Sequence, residues 1–454
     1  MVPFMEGVEN LRDWFTGTTG IRLQPWPILV LGLVFLLVAY LFMPGVVSLA
    51  LSISLFLAPV WLPFLLVGGA LALWLVLRRS MFIDKQKYAL LEIKPPRNLV
   101  KTPLAMETFF SAIHLSPGES TWYARWINGS VRPWWSLEIA SFEGQVHFFI
   151  WTRAAYRRII EGQIYAQYPG AQVVEVPDYS RMISATPEEW AVWGVDFKHT
   201  AAAPLPIKTY VEYGLDKVQE EPEQVDPLAN LMEFMGSIGK GEYLWLQFII
   251  RVHKGEKYHK KNEKGKAYTW KDEAEELIKD IRGKTRDDYI DPSTGEERPG
   301  FPNPTKGQAE KIAAIERNVS KLAFDTGARG IYIARPEKFN IIMITHLIGL
   351  FKPFTSTGWN GIESSAWHKR FDDYPWEIFA AKAKNHYSRK LVEAFRRRQF
   401  FYDPFGFGIS PEDVMVMSTE ELATVFHIPS RSVETPGLGR IQSATGEAPP
   451  NLPV

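Results

Sequence analysis

The stretch WWSLEIASFEGQVHFFIWT, Trp134–Thr152, decides the reading of the soluble part of this chain. Two aromatic-rich apolar runs meet at Glu143-Gly144, a pair suited to a tight reversal, so they predict a β-hairpin. Working outward, YALLEIKPP from Tyr88 alternates Leu91 and Ile93 with polar positions as a half-buried strand does. In PLAMETFFSAIHL from Pro103, Phe109, Phe110 and Ile113 fall at helical spacing. On the other side, AAYRRIIEGQIYAQY predicts a second helix stopped by Pro169-Gly170, and AQVVEVPDY a last strand. Strand, helix, two strands, helix, strand is the order of a ferredoxin-like split βαβ unit, with two helices on one face of an antiparallel sheet, over residues 88–180.

A second unit, 186–355, reads as a degenerate repeat. PLANLMEFMGSI from Pro227 echoes PLAMETFFSAI from Pro103, and Trp245-Leu-Gln-Phe-Ile echoes Trp135-Ser-Leu-Glu-Ile. Its expected strands are PIKTYVEY, EYLWLQFIIRVH and GIYIARP, and its second helix is GQAEKIAAIERNVSKLAF. A charged insertion, 254–304, interrupts it, Lys-rich at first and acidic from Asp272, with an amphipathic helix near Lys271–Ile281. A helical segment, 356–429, follows. It holds a long helix from Trp376 to Phe400, and a capping box at Ser418-Thr419-Glu420-Glu421 opens a helix that stops before Pro429. Residues 430–454, rich in Gly, Pro and Ser, are expected to be a flexible tail.

Toward the N-terminus, Leu23 to Leu77 carries no charged side chain and is bracketed by Arg22 and Arg78-Arg79. Such a run belongs in lipid. Pro44-Gly45 breaks it, so residues 23–79 predict a transmembrane hairpin whose second arm, interrupted by Pro59 and Pro63, is kinked or partly interfacial. Residues 1–22 form a cytoplasmic or interfacial segment. The cations Arg78, Arg79, Lys85 and Lys87 against the single acid Asp84 place the large region in the cytoplasm, giving a multi-pass protein of the inner (plasma) membrane. The expected fold class is therefore α+β: a helical hairpin in the membrane, two ferredoxin-like units in a degenerate repeat, and a helical C-terminal segment.

The 51 Lys and Arg balance the 51 Asp and Glu, so any electrostatic recognition is local. With no cysteine, thiolate metal sites and cysteine nucleophiles are excluded. No P-loop, G-x-S-x-G elbow, H-E-x-x-H or Rossmann fingerprint occurs. Gly236-Ser-Ile-Gly-Lys-Gly241 comes closest to a P-loop, but it sits between a helix and a strand and reads as a turn. The nine histidines are scattered; His147 and His427 read as structural, and His253 and His259 lack a third ligand. No catalytic, cofactor or metal site is expected. Two basic features remain as contacts for anionic lipid, nucleic acid or an acidic partner. One is the helix bearing Lys382, Lys384, Arg389, Lys390, Arg396, Arg397 and Arg398; the other is Lys257, Lys260 and Lys261 in the insertion. Trp134-Trp135 and Trp359 could anchor an interface, though burial in the sheet is the stronger reading.

EGQIYAQYPGAQVVEVPDY, RKLVEAFRRRQFF, STEELATVFHIPS and ETPGLGRIQSATGEAPPNLP together resemble the region that precedes the ATPase module in bacterial membrane-anchored proteins related to type IV secretion and conjugation ATPases. The resemblance runs from about Tyr88 to Val454. It implies two N-terminal membrane segments and, because the phosphate-binding loop is missing, a split arrangement. This chain would supply anchorage and docking, and a separate P-loop ATPase the work. Homo-oligomerisation is implied by the resemblance only, and no catalytic residue of that family maps onto the chain. A membrane-bound nucleic-acid-binding protein is the alternative.

Overall fold

The computed structural model describes residues 34–35, 37–97, 99–183, 189–217, 226–255, 262, 265–266, 268–285, 289–290, 297–298, 303–365, 380–402, 414–430 and 437–440. They fall into two compact units, Met1–Arg78 and Arg79–Val454. The domain limits expected near residues 180, 355 and 429 do not divide the second unit.

In the first unit, helix α1 (Pro44–Asp84) begins, and it is the one described helix long and apolar enough to cross a membrane. None of its side chains is buried in protein, which suits a surface solvated by hydrocarbon. Its serines satisfy themselves internally, Ser48 on the Gly45 carbonyl at 3.1 Å and Ser52 on that of Ser48 at 2.8 Å. The hairpin turn expected at Pro44-Gly45 does not form. Met43 N donates to Ala39 O at 2.9 Å and Val47 N to Met43 O at 3.1 Å, so helical pairing runs through the pair. Proline is tolerated there because the first helical position needs no amide donor. The helix also continues past Pro59 and Pro63. The rest of the expected first arm lies outside the described residues.

The second unit is built on one antiparallel sheet. Its strands are β1 (Tyr88–Lys94), β2 (Trp134–Phe142), β3 (Gln145–Arg153), β4 (Gln172–Val176), β5 (Ala191–His199), β6 (Glu242–Val252), β9 (Ala323–Ala334), β10 (Ile362–Ser364) and β11 (Met415–Ser418), in the order β10-β5-β9-β6-β2-β3-β1-β4, with β11 also on β9. A separate two-residue ribbon pairs β7 (Tyr289–Ile290) with β8 (Glu297–Arg298) in the insertion. The β2–β3 turn forms at Glu143 (φ 53°) and Gly144 (φ 90°), the two left-handed residues that a tight hairpin requires.

Both faces of the sheet are covered. One carries the larger apolar cluster, packed by α2 (Leu104–Ala112), α4 (Arg157–Gln167), α5 (Leu228–Gly236), α8 (Ile341–Ile348) and α10 (Thr419–Val425). The other carries Trp134, Trp151, Trp245 and Ile331 under α9 (Ala380–Arg397). That is why β9 is buried at every position and β2 at all but its last. Sequence spacing led to helices on one face only; α9, far along the chain, supplies the second layer. Two further helices lie in or near the loops, α3 (Trp122–Trp126) and α6 (Trp270–Gly283), and α7 (Lys306–Ser320) precedes β9.

The two halves of the sheet run symmetrically outward from the β2–β6 pair, in register from Trp134↔Arg251 to Phe142↔Tyr243. In each half the strands lie in the order fourth, first, third, second. Three expectations for the second half are corrected. PIKTYVEY is a run of turns, because Ile207 and Tyr210 give their amides to Glu421 and Thr424 of α10 rather than to a strand; the first strand is β5. The strand expected from GIYIARP starts earlier, at Ala323, and the half closes with α8 and β10 rather than with α7. Trp245 faces the side of Trp134, not of Trp135, since a one-residue slip in strand register changes the face. The tail is also pinned in part: Val146 N donates to Gly437 O at 2.7 Å, and Leu438 is buried against the larger cluster.

Candidate functional site

The last turn of α1 is built into the sheet's second face. Phe82 and Ile83 pack on its apolar cluster, and the Tyr88 hydroxyl donates to Ile83 O at 3.3 Å. Tyr88 stacks on Trp151, centroids 4.3 Å apart. Arg153 lies 5.5 Å from the Phe82 ring and 5.3 Å from that of Trp134, and it donates to the carbonyls of Val131 and Arg132. A desolvated cation over two rings is favourable because the ring quadrupole replaces part of its lost hydration. Burial pushes the Tyr88 phenol up to about 12, against the opposing charge of Arg153.

Beside this turn opens a groove of about 610 Å³, walled by Ser80, Asp84, Tyr88 and Trp151 on one side and by Asp178, Arg181, Arg396 and Arg397 on the other. Its floor is Arg398, a residue with φ 48° just past the end of α9. Arg398 donates to Glu138 from Nε at 2.9 Å and to Asp178 from Nη2 at 3.0 Å. Glu138, facing inward from mid-β2, also accepts from Ser136 at 2.7 Å, Tyr179 at 2.8 Å and Gln247 at 3.1 Å. Burial alone would raise the Asp178 carboxyl, but the hydrogen bonds and charge of Arg398 and the Ser180 contacts hold it below its usual range. Burial drives the Tyr179 phenol well up, reinforced by Glu138. Every strong acceptor here is occupied, so the floor is structural and the rim is what remains for a ligand.

The predicted contact residues separate. Arg398, expected on a basic face, is fully buried: its charge is taken up by Glu138 and Asp178, because a cation sealed in protein must be paired. Arg396 is half-buried and bonds the carbonyls of Ser180 and Ile183. Arg397 is exposed and paired with Glu393 at 2.6 Å. Arg389 and Lys390 are exposed on α9. Lys382 and Lys384 lie in α9, but their side chains lie outside the described set, as do Lys257, Lys260 and Lys261 altogether. The Arg396–Arg398 cluster is thus mostly turned to internal use. Sequence reasoning missed Arg181, Asp178 and Glu138; the one available signal was a glutamate between Leu137 and Ile139 in a strand covered on both faces.

Three of the described histidines are held in hydrogen bonds within the fold, and His259 lies outside the described residues. His147 bonds Glu92 at 2.7 Å, His253 bonds Asp325 at 2.6 Å, and His427 bonds Asp226 at 3.0 Å and Ala423 O at 2.8 Å. Among the described residues no three metal-ligating side chains converge. Trp134 and Trp135 are buried, and Gly236–Gly241 is the turn between α5 and β6.

In its described residues the chain is a mixed α/β protein with a single large antiparallel sheet and one long apolar helix. Residues 80–439 match the family model described as a domain of unknown function, DUF8128, and the chain belongs to that family. No curated protein matches it. The match begins in the last turn of α1 and ends just after the pinned residue Leu438, so it lies within the second compact unit.

Proposed function

We propose that this protein is a non-catalytic, membrane-anchored docking component of a type IV secretion-like or DNA-transfer machine, working at the cytoplasmic face with a P-loop ATPase. The observation that carries the reading is the continuity of α1 with the sheet: an apolar helix with no fully buried side chain ends in a turn whose half-buried Phe82 and Ile83 pack against the sheet's second apolar cluster. A folded body covalently joined to a membrane helix can hold a partner at the bilayer surface. In the same reading, the sheet is two ferredoxin-like units joined edge to edge through β2 and β6. The PLA strings at Pro103 and Pro227 each open the helix between the first and second strands of a half, which supports the repeat. The internal use of Arg396 and Arg398 weighs against the nucleic-acid alternative.

The test is isolation of the affinity-tagged full chain from its native membranes in mild detergent, followed by mass spectrometry. Recovery of a P-loop ATPase, lost with Arg181→Glu and Arg397→Glu in the groove rim, supports the reading. Absence of any such ATPase from the wild-type sample, with nucleic acid recovered instead, overturns it.

A further inference from the structure

The loop Ser116–Arg132 carries a short helix, α3, whose two leading side chains are conspicuously outward: Trp122 is 69% and Tyr123 58% exposed. Neither stacks on another ring among the described residues. Large aromatics left in water need a reason, because each buries a substantial apolar area in most folds. Arg125 is exposed beside them, so the tip reads Trp-Tyr-Ala-Arg, a mixture of amphipathic rings and a cation that favours the headgroup region of a bilayer.

The loop is firmly built. Thr121 caps α3 by accepting from Ala124 N at 3.1 Å, and Ser130 N donates to Ala124 O at 2.9 Å. At the base, fully buried Arg132 pairs with Glu119 at 3.2 Å and donates to Val252 O at 2.7 Å. Gly118, at φ 118°, lets the chain pass so close that a Cβ would meet Val131 O at 2.9 Å. The tip is therefore presented by a rigid support.

That support is tied to the place where the apolar helix ends. Glu119 accepts from the Tyr402 hydroxyl at 3.3 Å, and the guanidinium of Arg79 lies 5.5 Å from the same Tyr402 ring. Arg79 is two residues after Leu77, the last residue of the uncharged run. From Glu119 to Trp122 the chain spans at most ~11 Å. Val131 at the loop base and Phe82 of α1 share one apolar cluster, on the same face of the sheet.

We propose that Trp122, Tyr123 and Arg125 form a second membrane contact, lying in the headgroup interface of the bilayer that α1 enters. The occupant is a lipid surface. This inference rests on α1 being in a membrane, as proposed above.

The absence of cysteine makes single-site labelling direct. Full-length Tyr123→Cys, Trp74→Cys and Tyr165→Cys, each carrying an environment-sensitive fluorophore, are reconstituted into vesicles of phosphatidylcholine and phosphatidylglycerol, and quenching by lipids with a nitroxide near the headgroup is read. Position 74 lies in α1, and Tyr165 is exposed on α4, against the opposite face of the sheet. Quenching at 123 at least half as strong as at 74, with none at 165 and a several-fold loss on adding Trp122→Glu, supports the proposal. Quenching at 74 but not at 123 overturns it while leaving the anchor intact. No quenching at 74 overturns the anchor reading itself.

Discussion

Arg398 and Glu138 are 260 residues apart in sequence and meet at 2.9 Å, with both side chains sealed from solvent. Asp178 completes the arrangement, so the turn after α9, the middle of β2 and the turn after β4 are held by one guanidinium. Removing Arg398 leaves Glu138 charged and buried and Asp178 half-buried without its counter-charge.

Arg398→Met is expected to lower the stability of the full chain by about 3–5 kcal/mol, because Glu138 and Asp178 lose their counter-charge. Arg398→Lys should not rescue it, since one ammonium cannot reproduce the two-sided fork. Thermal unfolding in detergent measures both. Adding Glu138→Gln to Arg398→Met should recover part of the loss; an additive or larger loss would contradict the network.

The capping box of α10 is a smaller, local term. Glu421 N donates to Ser418 Oγ at 3.2 Å, and Ser418 N to the Glu421 carboxylate at 2.9 Å. Ser418→Ala is expected to cost about 1–2 kcal/mol, read as a lower unfolding temperature.

Stability should depend on pH from both sides. Burial would raise Asp178, Asp226 and Asp325, but Arg398, His427, and His253 with Arg251 respectively hold each below 3.8. Their contribution is present above 3.8 and is lost as pH falls through the lowered folded values. Glu421 is opposite: burial pushes it from 4.5 up to about 7, so its contribution is full below 4.5 and is lost as pH rises through 7. Unfolding temperature should therefore peak at about pH 4. Asp325→Asn should be less stable at neutral pH and show a shallower acid limb.

The pinned tail makes a prediction about access. A Cβ at Gly437 would meet Gly144 O at 2.0 Å. Gly437→Val should free the segment and speed tryptic cleavage at Arg440 several-fold while leaving the main unfolding transition nearly unchanged. Equal cleavage rates would show that the segment is held elsewhere.

Much of the second unit was legible because its local signals agree. The hairpin about Glu143-Gly144, the helices after Pro103 and Pro227 and the Ser418 cap each follow from spacing, turn residues and capping chemistry that act within a few residues. Two of the errors in the second unit share a cause. PIKTYVEY has strand composition, but its amides are claimed by Glu421 and Thr424, more than two hundred residues later. The Arg396–Arg398 run looks like a solvated basic face until α9 is laid on a sheet that presents Glu138 to it. Of the candidate site, the sequence showed the Arg396–Arg398 cations and the end of the apolar run, but not Arg181 or the groove, whose walls come from four separate segments.

By itself the sequence determined that a long charge-free apolar run precedes an α+β region, since such a run and periodic apolar spacing act through local burial and backbone hydrogen bonding. Only the tertiary structure decided that both halves share one sheet through β2 and β6, that the sheet is covered on both faces, and which charges are internal. Strand pairing and the compensation of a buried charge depend on groups brought together from far along the chain, and no local pattern encodes which partner arrives.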